Sequence, residues 1–395
     1  MSPPEPYLAP RLRGFGTTVF AEMSALAQST GAINLGQGFP DEDGPPEVLE
    51  AAVEAIRNGH NQYPPGIGVP ELRQAIAGHQ KRFYGIDLDP DTQVLVTAGA
   101  TEAITAAVVA LCDAGDEVIL LEPFYDSYKA AVAIAGARPV AVPLEPPGWT
   151  FDPERLAEAV TPNTRMILVN TPHNPTGTVL AADQLEAIAR VCTSRDLIAV
   201  TDEVYEHLIF DGAHLPLATL PGMAERTVTI SSAGKTFSVT GWKVGWATGP
   251  PALVAAVRTV KQFLTYVNAG PFQPAVAAGL GLPDAYFAGA ASALRERRDI
   301  LCAGLEAAGM DVHRPAATYF VVADISPLGE KDGREFCLDL PSRCGVVAVP
   351  ASAFYDDPAA PRPLVRFAFC KRLEVLEEAA RRLALIRNAT PPRRR

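Results

Sequence analysis

The stretch Ser231-Ser232-Ala233-Gly234-Lys235-Thr236-Phe237-Ser238-Val239-Thr240-Gly241-Trp242-Lys243-Val244-Gly245-Trp246 decides how the chain reads. A β-branched run, Thr227-Val228-Thr229-Ile230, leads into it and predicts a buried strand. The strand ends in small residues, and Lys235 stands in the loop beyond. A lysine amine held neutral at such a place is a nucleophile toward carbonyls. Gly234-Lys235-Thr236 also spells the end of a phosphate-binding P-loop. That loop needs a glycine where this chain has Thr229. The acidic run Val200-Thr201-Asp202-Glu203 also comes before the lysine, not after it, so a P-loop NTPase is a distant alternative. Taken alone, Lys235 reads as a solvated surface lysine. The rest of the chain decides.

Outward from this stretch, residues 92–250 alternate strand-length apolar runs with amphipathic helix-length segments. The runs are Val94–Val96, Val118–Leu121, Pro139–Val142, Met166–Val169, Leu197–Val200, Val228–Ile230 and Val244–Ala247. Helices are expected near 101–112, 126–136, 152–160 and 181–194. The alternation predicts an α/β fold: a mostly parallel sheet with helices on both faces, three layers in all. Upstream, helices are expected at Thr17–Ala27, Pro46–Asn58 and Pro70–Phe83. Downstream they are expected near 251–265, 272–280 and 284–308. From 311 the texture becomes strand, helix, strand, strand, helix, with strands at Tyr319–Val322, Val346–Val349 and Leu364–Ala368 and a last helix near 373–387. This predicts a smaller α+β domain. The expected division is an arm and part of the small domain at 1–45, a large domain at 46–290, and a small domain at 291–395.

With 395 residues, 48% hydrophobic and 20% charged, the chain has ordinary globular composition and more length than one core holds. A net charge of −11 argues against a general binder of nucleic acid or acidic membrane. The six cysteines show no C-x-x-C pair and no zinc spacing, so no metal is expected. Met1–Pro6 has no basic-then-apolar leader, and no apolar run reaches membrane-spanning length. The expectation is a soluble, cytoplasmic protein. Arg393–Arg395 reads as a frayed tail.

In an open α/β sheet, ligands bind beyond the carboxyl ends of the strands. Past Val96 comes Thr97-Ala98-Gly99-Ala100-Thr101, small residues opening a helix whose free N–H groups suit an anion. Past Leu121 comes Glu122-Pro123-Phe124-Tyr125, which brings aromatic rings. Past Val169 comes Asn170-Thr171-Pro172-His173-Asn174-Pro175-Thr176-Gly177, with two amides and a tight turn. Past Val200 comes Thr201-Asp202-Glu203-Val204-Tyr205, and past Ile230 come Ser231, Ser232 and Lys235. Each alone has a plain reading as a cap, a turn or packing. Together they offer an anion cradle, a flat π surface, a carboxylate and a lysine. That set suits a planar, phosphorylated pyridine aldehyde whose ring nitrogen is kept protonated by the acid.

The chain resembles the fold-type I pyridoxal-phosphate aminotransferases of class I/II over nearly its whole length. Asn170–Gly177, Asp202–Tyr205 and Ser232–Gly245 match that family's signatures in order and spacing. Asn34-Leu35-Gly36-Gln37-Gly38-Phe39-Pro40, Asn61-Gln62-Tyr63 and Gly241–Trp246 are similar to its kynurenine/glutamine transaminase-like branch, and to that branch's bacterial N-succinyldiaminopimelate enzymes. The resemblance implies pyridoxal 5'-phosphate as cofactor, with Lys235 as Schiff-base lysine and proton shuttle. It implies Asp202 at the pyridine nitrogen, Asn174 and Tyr205 at the ring hydroxyl, and Tyr125 stacked on the ring. Gly99, Ala100, Thr101, Ser232 and Lys243 would hold the phosphate, with Lys243 where many relatives have arginine. Tyr63 would reach the other subunit's phosphate, which implies a homodimer with shared active sites. Arg366 falls where the family binds the substrate carboxylate, with Gly38 and Asn170 completing the clamp.

The implied reaction passes an amino group from an amino acid to 2-oxoglutarate, with Lys235 as general base. Candidates for the side-chain pocket are Phe15, Phe20, Tyr63, Asn268 and Phe272. A polar Asn268 where kynurenine-type relatives carry an aromatic residue favours a longer, polar acyl-amino acid: N-succinyl-LL-2,6-diaminopimelate, in lysine biosynthesis. The alternatives are a kynurenine-, glutamine- or methionine-type transaminase and a cysteine-conjugate β-lyase. A non-enzymatic regulator with this domain would carry an added DNA-binding segment, for which no room is expected before Thr17. His173 and His207 are read as structural.

Overall fold

The computed structural model describes residues 7–358 and 362–386. The Met1–Pro6 segment and the arginine tail lie outside those residues. After a single 3-10 turn at Pro10–Leu12 comes a helix at Val19–Thr30, capped by the Thr18 hydroxyl and closed by Gly31 in the left-handed conformation. A two-residue strand follows, β1 (Ile33–Asn34), and then helices at Pro46–Arg57 and Pro70–Tyr84.

The large sheet then takes the strands β2 (Val94–Thr97), β3 (Glu117–Glu122), β4 (Arg138–Pro143), β5 (Thr164–Asn170), β6 (Ile198–Asp202), β7 (Thr227–Ser232) and β8 (Gly245–Thr248). Their spatial order is β2-β8-β7-β6-β5-β3-β4. All neighbours are parallel except at β8, which runs antiparallel to both β2 and β7. Alternate side chains leave on opposite faces. Val118, Leu120, Met166 and Leu168 enter one core with the helices Gly99–Leu111, Asp126–Ala135 and Pro251–Leu264. Ile119, Leu121, Ile167 and Val169 enter another, on the side of Ala182–Arg195. Both faces of these strands are therefore buried, and the runs are apolar throughout. The expected α/β/α layering is what the structure shows.

A second sheet follows the long helix Asp284–Ala307. It is built from β9 (Asp311–His313), β10 (Phe320–Asp324), β12 (Val349–Pro350) and β13 (Leu364–Ala368), all antiparallel, in the order β12-β13-β10-β9. The run Val346–Val349, expected as one strand, is two. Its first half, β11 (Val346–Val347), pairs in parallel with β1, and its second half turns to join β13. All four residues are buried, so burial alone did not mark the break. β1 itself was not expected, because Asn34 opens the glycine-rich stretch. Its partner lies far away in sequence, as Ile33↔Val346. β9 is a further short edge strand without an apolar run of its own.

Lys235 departs from the expected loop. It sits in a single helical turn, Ala233–Thr236, directly after β7. The helix expected at 152–160 shortens to Pro153–Glu158, with the Asp152 side chain accepting from the Glu154 N–H as N-cap.

Candidate functional site

The register of the sheet levels its carboxyl edge. Asn170 at the end of β5 pairs with Asp202 at the end of β6, and Asp202 pairs with Ile230 of β7. Ser232 ends β7, and Lys235 is projected by the turn that follows. A cavity of about 760 Å³ opens over this edge. Every expected site residue lines it except Tyr63, Asn268 and Phe272.

One wall is the helix Gly99–Leu111. The Ala98 N–H donates to Glu102 Oε2 at 2.6 Å, and beyond it Gly99, Ala100 and Thr101 line the cavity. Gly99 has φ +78°, and a methyl group on it would lie 3.4 Å from Lys243 Nζ. The glycine keeps the space between backbone and amine open. Free N–H groups, the helix dipole and an ammonium together make a phosphate cradle.

The floor is Asp202, buried at the sheet edge. Burial pushes its carboxyl up to about 6, although the Tyr128 hydroxyl donates to Oδ2 at 2.6 Å and the Val204 N–H approaches Oδ1 at 3.4 Å. Lys235 faces the cavity with no hydrogen bond at Nζ among the described residues. Its nearest rings are Tyr319 at 5.5 Å and Tyr205 at 5.9 Å. Burial lowers its ammonium to about 8, so a useful fraction is neutral near physiological pH. Tyr205 and Tyr125 hold their protons firmly, because burial raises both phenols, Tyr125 to about 12.

Arg366, on β13, is only 1% exposed. Its Nη1 donates to Asn174 Oδ1 at 2.8 Å and its Nη2 to the Gly36 carbonyl at 2.8 Å. Nε is buried without a partner, and the guanidinium lies 3.9 Å from the centre of the Phe320 ring. No carboxylate pairs with it among the described residues. Burial lowers it to about 10, a large penalty for guanidinium. A buried cation held only by neutral acceptors is completed by an anionic ligand. The same contact turns the Asn174 carbonyl toward Arg366 and leaves its amide N–H₂ unpaired among the described residues, free for a ring oxygen.

Several expected roles change. Asn170 lines the cavity, but its Nδ2 donates to the Asp202 carbonyl and its Oδ1 accepts from the Asn174 N–H, both at 2.8 Å. It braces the loop more than it presents an amide to substrate. Asn268 does not line the side-chain pocket; its Nδ2 donates to the Thr97 and Lys243 carbonyls at 3.0 and 3.2 Å, tying the cradle's two loops. Phe272 stacks on Trp242, with ring centres 4.5 Å apart, outside the cavity. Tyr63 is 81% exposed, away from this chain's own cavity. Phe15, Phe20 and Gly38 do line it.

Tyr128 was missed. Its signal was Tyr125 and Tyr128 three apart at a helix start, which puts both rings on one face. His173 bonds Thr176 through Nδ1 at 2.7 Å, and His207 meets His79, Nε2 to Nε2, at 2.6 Å. Neither lines the cavity, and burial lowers both imidazoles, to about 3 and about 4, keeping them neutral.

The site therefore fits a planar phosphorylated aldehyde beside a carboxylate: cradle, buried acid, free amide, depressed lysine and waiting guanidinium surround one cavity. Residues 30–383 match the family model for aminotransferases of class I and II, and the chain belongs to that family of pyridoxal-phosphate enzymes. It is 57% identical over 388 residues to the probable N-succinyldiaminopimelate aminotransferase DapC of Mycobacterium tuberculosis (strain H37Rv), covering 95% of this chain and 98% of that one. The solved structure of N-succinyldiaminopimelate aminotransferase from Mycobacterium tuberculosis superposes with a TM-score of 0.94, covering 96% of this chain and all of the other. The methionine aminotransferase of Escherichia coli (strain K12) is 40% identical over 374 residues, 94% of this chain and 97% of that one.

Bound here, the cofactor supplies an aldehyde carbon for the amino group and an electron-withdrawing ring. Lys235 would carry the aldehyde and Asp202 would pair with the ring nitrogen. Arg366 would hold the substrate carboxylate, on the same cavity as Lys235. Neutral Lys235 Nζ can take the substrate's α-proton and return it nearby.

Proposed function

We propose that this chain is a cytoplasmic, homodimeric aminotransferase that moves the amino group of N-succinyl-LL-2,6-diaminopimelate to 2-oxoglutarate, giving glutamate, in lysine biosynthesis. The observation that carries the amino-acid chemistry is Arg366: a buried guanidinium without an anionic partner among the described residues, opening into the cavity that holds a depressed lysine. The donor reading is supported by the relatives named for that substrate, at 57% identity over nearly their whole length. The site roles are those derived above. The division at 1–45, 46–290 and 291–395 is supported by a core that gathers Met23, Ala27 and Leu35 of the arm with β10, β11, β13 and Leu376 and Leu383 of the last helix, although Val204 and Phe210 of the large domain also join it.

The dimer is supported by an exposed apolar patch. Tyr63 and Tyr266 meet edge to face with ring centres 5.6 Å apart, and Phe263 is 84% exposed. Such patches mark contact surfaces. A Tyr63 that serves a partner's phosphate would stand in this kind of place. For the cellular site, no helix among the described residues is long and apolar enough to cross a membrane.

The test is a panel of donors with 2-oxoglutarate, following glutamate: N-succinyldiaminopimelate, methionine, kynurenine and glutamine. The expected result is a kcat/KM for the succinylated donor at least about tenfold above the others, the discrimination that a few added contacts give. Lys235→Ala should abolish turnover with every donor. Preference for methionine or kynurenine would replace the donor, and turnover without an oxo-acid acceptor would point to a lyase.

A further inference from the structure

The main cavity does not end at the reacting centre. Gly14, Phe15 and Asp126 line it and also line a second cavity of about 490 Å³. This side cavity lies between the Arg11–Phe15 segment, the helix Asp126–Ala135, and Tyr355. Much of its wall is apolar, but two cations stand in it, Arg11 and Lys129. Arg11 has no hydrogen bond or ion pair among the described residues. Lys129 Nζ lies 2.6 Å from Asp356 Oδ1 and donates to the Asp356 carbonyl at 2.9 Å, with a third of its side chain exposed.

We propose that the side cavity binds the far, acyl-end carboxylate of a long acyl-amino tricarboxylate donor, with Arg11 and Lys129 as its cationic partners. The assignment rests on the donor reading above. The cations of the main cavity are already committed, Lys235 to the amino group, Lys243 to the phosphate and Arg366 to the α-carboxylate. The donor has two further carboxylates, one on the acyl-bearing carbon and one at the acyl end, and these call for further cations. Arg11 and Lys129 are the other lysine and arginine residues lining either cavity. The reach agrees. In a succinylated diaminopimelate the terminal carboxyl lies roughly 11 Å from the reacting carbon when extended, at ordinary chain dimensions. Lys129 is almost one helical turn beyond Asp126, about 5 Å further along the axis. Asp126 lines both cavities, so an acyl amide N–H passing the junction could donate to its carboxylate. A short monocarboxylate donor stops before the junction and leaves the side cavity to water.

The experiment compares N-succinyl- and N-acetyldiaminopimelate as donors, with 2-oxoglutarate as acceptor, for the wild-type holoenzyme and the variants Arg11→Ala, Lys129→Ala and both. The acetyl donor keeps the amide and lacks the far carboxylate. KM for the succinyl donor should rise about tenfold in each single variant and about a hundredfold in the pair, the range for losing charge-assisted contacts. Its kcat should hold within about twofold, and KM for the acetyl donor and for 2-oxoglutarate should not move. Arg11→Ala removes no hydrogen bond or ion pair among the described residues, so it remains decisive if Lys129→Ala unsettles the Asp356 loop. Equal losses with both donors, or no loss with either, would overturn the assignment. So would a wild-type enzyme that does not prefer the succinyl donor. If the wild-type enzyme turns over neither acylated donor, the donor reading fails first and takes this site with it, a result visible before any variant is made.

Discussion

At the scale of the residue, the site depends on who supports the acid. Asp202 has a carboxyl near 6, and the Tyr128 hydroxyl is the largest of the contacts holding it down. Tyr128→Phe keeps the ring and removes that donor. The carboxyl of Asp202 then rises further, so at a given pH a larger share is protonated and unable to pair with a ring N–H⁺. The acid limb of the kcat/KM profile should therefore move to higher pH, with activity lost first at low pH and recovered as pH increases. A pH series on both proteins reads this directly. An unmoved acid limb, with a uniform fall at all pH values, would show that Tyr128 only packs. Lys235, Asp202 and Asn174 were legible because each follows closely on an apolar run, so local sequence places it at the sheet edge. Tyr128 was not, because its partner lies across the sheet at Asp202.

At the scale of the element, the cradle is a close approach between β8 and the start of the helix Gly99–Leu111. Gly245 opens β8, and a methyl group there would lie 2.6 Å from the Gly99 carbonyl carbon and 2.8 Å from the Ala100 nitrogen. Those atoms are backbone and cannot rotate aside. Gly245→Ala should push the helix start outward, at a cost of about 1–3 kcal/mol of stability, the usual range for overpacking. It should also loosen retention of the cofactor phosphate. Urea unfolding measures the first, and cofactor remaining after dialysis the second. Wild-type values in both would mean that the strand and helix part freely. At this scale the sequence read well wherever period and length were clear, as in the seven runs of the large sheet. It failed at Val346–Val349, where one buried run serves two sheets: the break is set by the partners β1 and β13, which no local pattern names.

At the scale of the whole molecule, the exposed Tyr63, Phe263 and Tyr266 belong to the proposed dimer. A charge in that patch would have to be buried without a partner, a penalty of several kcal/mol. Phe263→Glu should therefore give a monomer by sedimentation, with the fold intact by circular dichroism and turnover lost with the shared site. A variant that stays dimeric and active would place the interface elsewhere.

By itself the sequence determined the layered α/β plan, and it singled out the strand ends and Lys235, Asp202 and Arg366 as candidates for the chemistry. These rest on short-range facts: hydrophobic period, small residues after strands, and one family's motifs in order. Only the tertiary structure decided what those residues touch. Arg366 reaches Gly36 and Asn174, Asn268 ties the loops of Thr97 and Lys243, and Asn170 braces backbone. Each of these contacts joins segments far apart along the chain or turns a side chain inside a crowded cavity. The directions of a polar group's few hydrogen bonds are settled by packing, and packing is a property of the assembled core.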